Sequence, residues 1–499
     1  MNKWIVIGII LAAIGLADSS YLTWEHYQEV TPPCTTGFSF VDCGAVLRSK
    51  YAEVAGVPLA GLGMIHYGIL TIVLLIAMKY KPARYLAVLM SVAGLAASAY
   101  FVYLQLFVIK AICLYCMISA VDSAILFVTV TAIFATERKK QTIWMTKNFY
   151  KYNAKPIFFA LDPESVHVGI VKSGELMGKI PGFSSIGKYL MGYSGTDLGQ
   201  TIMGIKFGLP VGLAAGFDYE GRLTGVLSPL GFGFQSVGTI TLDPWAGNPR
   251  PRLGRLPKSK SLMVNKGFKN PGSEEIINRL KKSKFEIPVG ISVGDAEGEE
   301  RNIVKTFEKF EKADVGNSYY ELNISCPNLL KAKELKLDKL FFEVDKLKLS
   351  KPIWVKMPIN KTNKETLQIL TLIAKYKSYK AVIFGNLQKD RTDRSLNKEE
   401  AAKFSVGNFS GKPTFERSNQ LIELAYKKYG KRFVIVGCGG VFNASDAYEK
   451  IKRGASIVQM ITGMIFEGPQ VVSDINFGLS SLLKKDGYKH ISEAVGVDV

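Results

Sequence analysis

The sequence has no short-period repeat and no low-complexity tract, which excludes repeat architectures such as solenoids. Histidine is scarce, with four residues in 499. One Cys-x-x-Cys pair, Cys113 and Cys116, has no second such pair and no histidine cluster beside it, so a zinc site is not supported. Acidic residues are few, because 43 Asp and Glu stand against 63 Lys and Arg and leave a formal net charge of +20. This balance suits nucleic acid, an anionic membrane or acidic small molecules, and composition does not choose among them.

Apolar residues are abundant, at 47% of the chain, and the mean hydropathy is +0.13. This exceeds what one water-soluble core requires, and 499 residues exceed one ordinary domain. Each of four apolar stretches is close to the ~20 residues that a membrane-spanning helix needs. The first stretch is either a signal peptide or a retained anchor; three further spans and the lack of an Ala-x-Ala site favour the anchor. The stretches predict an all-α four-helix transmembrane bundle, and they cover approximately residues 4–24, 62–78, 85–109 and 114–135.

Basic residues indicate the orientation of this bundle. They cluster at 79–84, between the second and third spans, and at 138–140, after the fourth span. Because positive charge stays on the cytoplasmic side, both chain ends are expected there. The loop 25–61 and the turn around Cys113 then lie on the outer face, together with all four cysteines of this part of the chain.

The Cys-Leu-Tyr-Cys pair stands at the outer start of the fourth span. A helix N-terminus favours the reactive thiolate, and this spacing allows the two sulfurs to close a disulfide. Taken alone, the pair fits a redox site, a metal site or an inert pair equally well. In the outer loop, Cys34 and Cys43 are candidates for a second disulfide that carries electrons from substrate proteins to the buried pair.

Three segments resemble bacterial members of the vitamin K epoxide reductase family: GLADSSYLTWEHY at 15–27, DCGAVLRSKYAEVAGVPLAGLG at 42–63 and CLYC at 113–116. The resemblance covers roughly the first quarter of the chain. It implies that thiols are oxidised while a quinone held inside the bundle is reduced. No thioredoxin-like domain follows in this sequence, so the thiol partner on the outer face is expected to be a separate protein.

The same resemblance assigns roles to individual residues. Cys116 contacts the quinone, Cys113 exchanges with the loop, and Cys34 and Cys43 meet the protein partner. Ser49 matches a hydroxyl residue near the quinone; the alternative is that it caps a short loop helix. Asp122, an acid within the fourth span, is either functional or engaged in a structural hydrogen bond.

From residue 209 onward, β-rich runs alternate with stretches long enough for helices. This rhythm predicts a (β/α)8 TIM barrel, with an open doubly wound sheet as the alternative. Residues 137–200 are expected to form a linker and an amphipathic helical extension near the membrane surface. The predicted domains are thus 1–136, 137–200 and 201–499. The runs are VGLAAG, FGFQSVG, PVGISV, YELNIS, PIWVKM, KAVIFGN, RFVIVGCGG and ASIVQMI.

Motifs along the last three-fifths of the chain resemble dihydroorotate dehydrogenase in their order. This resemblance implies an FMN enzyme of pyrimidine biosynthesis that oxidises dihydroorotate to orotate. Late glycine turns that offer amides to a phosphate agree with such a cofactor. The motifs are LPVGLAAGFDYEG (209–221), SVGTITLDPWAGNPRPRLGRLP (236–257), NISCPN (323–328), WVKMP (354–358), FGN (384–386), SGKP (410–413), VGCGGV (436–441) and QMITGMIFEGP (459–469).

By this resemblance, Cys326 is the base that removes the C5 proton while the C6 hydride passes to flavin N5. Lys356 lies at the pyrimidine edge of the flavin, where a cation stabilises the reduced ring. Substrate is bound by Asn323, Asn328 and Asn386, with Gly267 and Phe268 beside them. The residues expected around FMN are Ala214, Ala215, Gly216, Thr239, Lys356, Ser410, Gly411, Gly439, Gly440, Ile461 and Thr462.

Two features of the sequence bear on the electron acceptor. FFALDPESVHVGI at 158–170 resembles a segment of the membrane-associated class, in which two helices form a quinone tunnel. A cysteine base is instead typical of the soluble classes that use fumarate or NAD. We favour quinone, either ubiquinone or menaquinone, because a membrane-tethered barrel beside the quinone pool needs no soluble oxidant.

Four positions depart from the dihydroorotate dehydrogenase pattern and leave the substrate open, so another substrate or a ligand-sensing role stays an alternative. Lys266 is either a replacement cation or a surface charge, and Cys438 is expected to be a small core residue. The basic stretch 250–284 either faces anionic lipid or is solvated. The departures are Tyr219, Val264, Ser292 and Gly385.

The whole sequence therefore predicts a bifunctional membrane redox protein of a prokaryotic inner membrane. Its thiol site lies on the outer face and its barrel on the cytoplasmic face. Membrane lipid, the quinone pool, dihydroorotate and a thioredoxin-like protein are the expected partners, and nucleic acid is not. The alternative is that only the barrel is catalytic and the helical bundle is an anchor.

Overall fold

A computed structural model describes residues 3–28, 32–34, 41–80, 82–325 and 335–499. The chain divides into two compact units, Met1–Lys139 and Lys140–Val499. The finer division of the second unit at residue 200 stays a prediction.

The first unit is helical. Among the described residues, four helices are long and apolar enough to cross a membrane, which confirms the predicted spans to within a few residues. A π-helical turn at Leu104–Ile109 extends the third of them. The elements are α1 (Lys3–Tyr27), α2 (Cys43–Leu47), the hairpin strands β1 (Glu53–Val54) and β2 (Val57–Pro58), α3 (Leu59–Ala77), α4 (Pro82–Tyr103) and α5 (Leu114–Phe149), whose residues from Lys140 onward belong to the second unit.

These spans bury only part of their apolar surface within the unit. Ile5, Leu70 and Leu126 pack into a shared core. Large apolar side chains such as Leu89 and Val128 are 69% and 63% exposed. Apolar residues around the whole helix circumference are typical of helices that contact lipid.

Helices and a small hairpin open the second unit. α6 (Lys155–Ala160), α7 (Pro163–Gly178) and α8 (Phe183–Met191) come first, followed by the hairpin β3 (Gln200–Ile202) and β4 (Ile205–Phe207). The side chain of Asp162 caps α7 by accepting from the Ser165 amide at 2.8 Å, and Pro163 occupies its first turn. The DPES sequence therefore fixes where α7 begins.

A closed barrel of eight parallel strands forms the body of this unit, and the predicted TIM barrel is confirmed. Each of the eight β-rich runs is a strand. The pairing of Val458 with Val211 closes the ring, so the open sheet is wrong. In barrel order the strands are β5 (Val211–Leu213), β6 (Phe234–Ile240), β9 (Val289–Val293), β10 (Tyr319–Asn323), β11 (Ile353–Met357), β12 (Tyr379–Phe384), β14 (Val434–Cys438) and β15 (Ile457–Met460).

Helices surround the barrel, and a small antiparallel sheet stands outside it. The sheet has the order β13 (Asn408–Phe409), β8 (Ser261–Val264), β7 (Leu253–Leu256). The helices are α9 (Ser273–Leu280), α10 (Glu300–Ala313), α11 (Leu337–Lys346), α12 (Asn363–Ala374), α13 (Lys398–Ala402), α14 (Phe415–Tyr429), α15 (Ala444–Lys452), α16 (Thr462–Glu467) and α17 (Val471–Lys485).

Two-residue alternation along the strands separates the barrel interior from its helix-facing side. On β10, Tyr320 and Leu322 belong to the core beneath the helices, whereas Tyr319 belongs to the interior cluster. Tyr319 stacks on Trp354 with ring centroids 3.7 Å apart, a contact worth about 0.5–1.5 kcal/mol beyond its buried area. The register that pairs Asn323 with Lys356 sets both at the carboxyl end of the barrel.

Candidate active sites

The cysteines of the first unit pack into one small cluster. Cys34 and Cys43 form a disulfide, while Cys113 and Cys116 are free thiols. A bridge between Val41 and Ile112, with the Asp42 amide donating to the Ile112 carbonyl at 3.0 Å, holds the Cys43 segment beside the start of α5. All four sulfur-bearing residues contribute to the same packed group of side chains.

A cavity of about 510 Å³ lies within this unit, and both Ser49 and Cys116 line it. The Ser49 hydroxyl also donates to the Val46 carbonyl at 2.8 Å, just past the end of α2. Ser49 therefore caps the short helix α2 and also lines the cavity, two positions that the sequence left as alternatives. Sequence reasoning missed the other polar lining residues, which include Asp18, His26, His66, Tyr67, Gln105, Ser119 and Ser123.

Three of these polar groups form hydrogen bonds in the cavity wall. The Tyr67 hydroxyl and the Ser123 hydroxyl are 2.7 Å apart, and the Gln105 side chain accepts from the Cys113 amide at 2.8 Å. Asp122 is buried near this wall without lining the cavity. Its Oδ2 has no hydrogen-bond partner among the described residues, so a structural hydrogen bond does not account for that oxygen.

In the second unit, one cavity of about 330 Å³ extends from the carboxyl end of the barrel to α6 and α7. A smaller cavity of about 90 Å³ lies among the glycine turns after β13 and β14. Every residue predicted to surround a flavin lines one of the two. The larger cavity has Gly216 and Thr239, the smaller has Ala214, Gly411, Gly439 and Gly440, and both share Ala215, Lys356, Ser410, Ile461 and Thr462.

A continuous chain of polar side chains crosses the carboxyl end of the barrel. Asn323 Nδ2 donates to Thr239 Oγ1 at 2.8 Å, and Thr239 Oγ1 lies 3.1 Å from Ser292 Oγ. Ser292 donates to Glu321 Oε1 at 2.8 Å, which in turn lies 4.0 Å from Lys356 Nζ. Ser292, one of the four departures, therefore links the predicted flavin and substrate residues to a fully buried carboxylate.

The remaining predicted substrate residues lie at the larger cavity or beyond the described chain. Gly267 and Phe268 line it together with Asn386, whose Nδ2 donates to the Ser325 carbonyl at 2.8 Å. Cys326 and Asn328, the proposed base and one substrate ligand, lie outside the described residues.

Gly385 stands where the dihydroorotate dehydrogenase pattern has a threonine, and the backbone at this position explains the difference. Its φ is +154°, and a Cβ placed there would lie 2.2 Å from the Cys438 carbonyl oxygen. A threonine therefore does not fit this backbone. Cys438 itself is buried, as predicted for a small core residue, but it also lines the smaller cavity. Burial raises the pKa of its thiol, so the sulfur is neutral at pH 7.

At the far end of the larger cavity, α7 presents His167 to the barrel. Its Nε2 lies 2.8 Å from the Phe217 carbonyl and its Nδ1 lies 3.2 Å from Lys266 Nζ. Burial, then the charge of Lys266, lowers the pKa of His167 to about 4. Lys266 is only 5% exposed, so it is not the surface charge that the sequence allowed. Burial lowers its pKa to about 8.

Arg255 completes the cationic lining of this end. Its guanidinium donates to the Leu161 carbonyl at 2.7 Å and lies over the Phe159 ring at 4.9 Å. Neither His167 nor Arg255 was among the predicted site residues. The DPESVH segment contains His167 and the RLGRLP segment contains Arg255. Each segment resembles the family as a whole motif and does not single out these residues.

Comparisons with known proteins agree with this arrangement. The sequence model described as Dihydroorotate dehydrogenase matches residues 197–483, and the one described as Vitamin K epoxide reductase family matches residues 6–131. A dihydroorotate dehydrogenase (quinone) of Christiangramia forsetii is 36% identical over 338 residues, which are 66% of this chain and 97% of the relative. Another, of Nostoc punctiforme, is 33% identical over 376 residues, 70% of this chain and 99% of the relative.

The fold has a solved counterpart. A crystal structure of DHODH from Eimeria tenella in complex with ferulenol superposes with a TM-score of 0.60 at 25% sequence identity. The match covers 68% of this chain and 96% of that one. None of these relatives spans the whole of the present chain, whose first quarter matches the second family instead.

Proposed function

The chain belongs to the dihydroorotate dehydrogenase family, and from this we propose that its barrel oxidises dihydroorotate to orotate with FMN and passes the electrons to a quinone. The observation that carries the proposal is the larger cavity, because it joins the carboxyl end of the barrel to α6 and α7 without interruption. A quinone entering between the helices would then reach the flavin directly. The curated relatives are named as quinone enzymes as well.

The side chains and backbone of the second unit fit FMN. Gly411, Gly439 and Gly440 all have positive φ and form a cradle around the smaller cavity, and at Gly440 a Cβ would lie 2.5 Å from Phe415 Cβ. Backbone amides in such turns suit a phosphate. Lys356, which is 5% exposed, is a cation suited to the pyrimidine edge of the ring. When bound, FMN supplies the hydride acceptor for the oxidation.

Gly411→Ala should lower the flavin content of the purified protein. Gly411 has a φ of +79°, and a Cβ there would lie 2.4 Å from the Lys260 carbonyl oxygen, so the cradle must distort. Gly487→Ala is the matched control, because Gly487 has a similar φ of +84° and nothing within 4 Å of an added Cβ. The flavin-to-protein absorbance ratio measures the effect. Equal ratios in the two variants would remove these glycines from the flavin site.

Within this site, Cys326 would remove the C5 proton, and Asn323, Asn328 and Asn386 would hold the substrate. Dihydroorotate carries a carboxylate and ring amides, which suit the amide donors of asparagine. Val264 and Tyr219 stand where the family pattern has other residues. Bleaching of the flavin by dihydroorotate under anaerobic conditions tests the substrate; if only another compound bleaches it, the substrate differs.

Reduced enzyme should be reoxidised faster by a short-chain ubiquinone or menaquinone analogue than by fumarate or NAD. The cavity wall formed by Phe158, Val166 and Ile170 is apolar, which favours a quinone over a dicarboxylate or a dinucleotide. Stopped-flow mixing of dihydroorotate-reduced protein with each acceptor gives the three rates. Faster reoxidation by fumarate would assign the chain to the acceptor class that a cysteine base indicates.

A second function is supported by the cysteine cluster of the first unit. We infer that Cys34 and Cys43 take electrons from a separate thioredoxin-like protein and pass them to Cys113 and Cys116, from which a quinone in the cavity beside Ser49 receives them. The packing of all four cysteines together supports this relay. In the alternative, the bundle is only an anchor, and replacing Cys34 or Cys116 with serine distinguishes the two.

The cysteine cluster should lie on the outer face of a prokaryotic inner membrane, with the barrel in the cytoplasm. The basic residues at 79–84 and 138–140 support this orientation. After mild reduction of intact cells, a membrane-impermeant thiol reagent should label Cys34. Labelling only after lysis would reverse the orientation.

A further inference from the structure

Lys266 is a buried cation that the functions proposed above leave without a role. It lines the larger cavity, where apolar and aromatic side chains predominate. No carboxylate of the described residues lies within 4.0 Å of its Nζ, although the neighbouring Lys269 reaches Glu164 at 3.5 Å. An ammonium group buried in such surroundings without a paired carboxylate costs free energy.

The contacts of Lys266 show which protons are engaged. A carbonyl oxygen only accepts, so His167 Nε2 carries the proton that is donated to Phe217. His167 Nδ1 is then an acceptor and receives one N–H of Lys266. The ammonium also lies over the Tyr219 ring at 4.7 Å. Only one of its three N–H groups has a hydrogen-bond acceptor among the described residues, so the ammonium can still donate to a ligand in the cavity.

We propose that Lys266 donates a proton to the quinone oxygen as the quinone is reduced in this cavity. The inference rests on the proposed quinone reaction of the barrel. It gives Lys266 a catalytic role, and it gives His167 a positioning role through the Nδ1 contact that orients the ammonium.

The protons and electrons balance as follows. Conversion of a quinone to a quinol takes up two electrons and two protons; a reduced flavin held as an anion beside Lys356 would supply both electrons and one proton. The second proton leaves Lys266 Nζ, where an N–H bond breaks as an O–H bond forms on the quinone. The neutral amine then regains a proton from solvent, so Lys266 is unchanged after each turnover.

Among Lys266, His167 and Glu164, Lys266 is the group expected to titrate near neutral pH. His167 has a pKa of about 4 and stays neutral, and the pKa of Glu164 is held below its ordinary value because, despite burial, Arg252 and two lysines favour its charged form. With a pKa of about 8, Lys266 holds its proton at pH 7 and loses it above pH 8. The charged and titratable neighbours are His167, Glu164, Tyr219, Glu220, Arg252 and Lys269.

Three variants separate proton donation from the mere presence of charge. Lys266→Met removes both, while Lys266→Arg keeps the charge but cannot give up a proton. Both should slow quinone reduction by about a hundredfold at pH 7. Lys269→Met, which removes an exposed cation three residues away, should leave the rate at pH 7 unchanged, because loss of that neighbouring positive charge leaves Lys266 protonated. In the wild-type protein the rate should fall as pH rises through about 8, whereas in Lys266→Met it should be flat over that range.

The rates are measured on holoenzyme whose flavin has been reduced with dithionite. Failure of dihydroorotate as substrate would then leave the Lys266 test intact. Ferricyanide, which takes electrons without protons, should reoxidise all variants at equal rates. A Lys266→Met protein with the wild-type rate and pH profile overturns the proposal, as does a Lys266→Arg protein with the wild-type rate.

A second measurement needs no turnover. Carbamylation of the holoenzyme with cyanate at a series of pH values, followed by peptide mass spectrometry, reports the protonation of Lys266 directly. We expect a midpoint near 8 and protection by a bound quinone analogue. A midpoint at the ordinary 10.5 would show that the ammonium does not release its proton in this range, which also overturns the proposal.

Discussion

Cys326→Ala should slow reduction of the flavin by dihydroorotate by about two to four orders of magnitude, the usual cost of losing a general base. The residue follows β10, whose last member, Asn323, lies at the carboxyl end of the barrel next to Lys356. Barrel enzymes hold their catalytic groups at this end. Flavin binding should survive, because the glycine cradle that would hold the cofactor lies on other strands. Anaerobic stopped-flow absorbance measures the half-reaction.

Cys326→Ser is the matched variant. A hydroxyl in place of the thiol keeps a group that can take the proton if it is assisted, so this variant should be faster than the alanine variant and slower than the wild type. The rate of reoxidation by quinone should be the same in all three proteins, because Lys266 rather than Cys326 is proposed to supply the proton in that step. Unchanged flavin reduction in Cys326→Ala would exclude the thiol as the base.

The barrel was predictable because each of its strands carries a local signal. Runs such as IWVKM are apolar and of strand length, and turns or helix-length stretches separate them. In a parallel barrel both sides of a strand are covered, so burial runs continuously along the strand, as it does from Ile353 to Met357. Closure depends on pairing β15 with β5, about 245 residues apart, and no local pattern carries that information.

Candidate site residues could be picked out only where a motif is contiguous. The residues predicted to surround a flavin come from such motifs, and all of them line the two cavities. The sequence could not show whether Lys266 is buried or exposed, because its burial depends on α7, about a hundred residues earlier in the chain. The Ser292–Glu321 hydrogen bond is likewise a contact between separate segments, because it joins β9 to β10. Contacts between distant segments set the charge and solvation of such groups, and a linear sequence does not list them.

Cys116→Ser should abolish thiol-dependent quinone reduction by the first unit, whereas Cys34→Ser should abolish it with only one class of donor. Cys116 lines the cavity beside Ser49, and a single sulfur at 113 cannot close the disulfide that releases two electrons. Cys34, in the disulfide with Cys43, stands at the entry of the proposed relay. Its loss should stop transfer from a thioredoxin-like protein and spare transfer from a small dithiol that reaches Cys113 directly.

The assay follows quinol formation in detergent with dihydroorotate left out, so that the barrel does not contribute. Cys438→Ser is the matched control, because Cys438 belongs to the second unit and takes no part in the relay. If Cys34→Ser loses activity with the small dithiol too, the loop disulfide is part of the reaction centre rather than an entry point. If Cys116→Ser still couples dithiol oxidation to quinone reduction, the cysteine pair carries no electrons, and the four-helix unit serves the barrel as an anchor in the membrane.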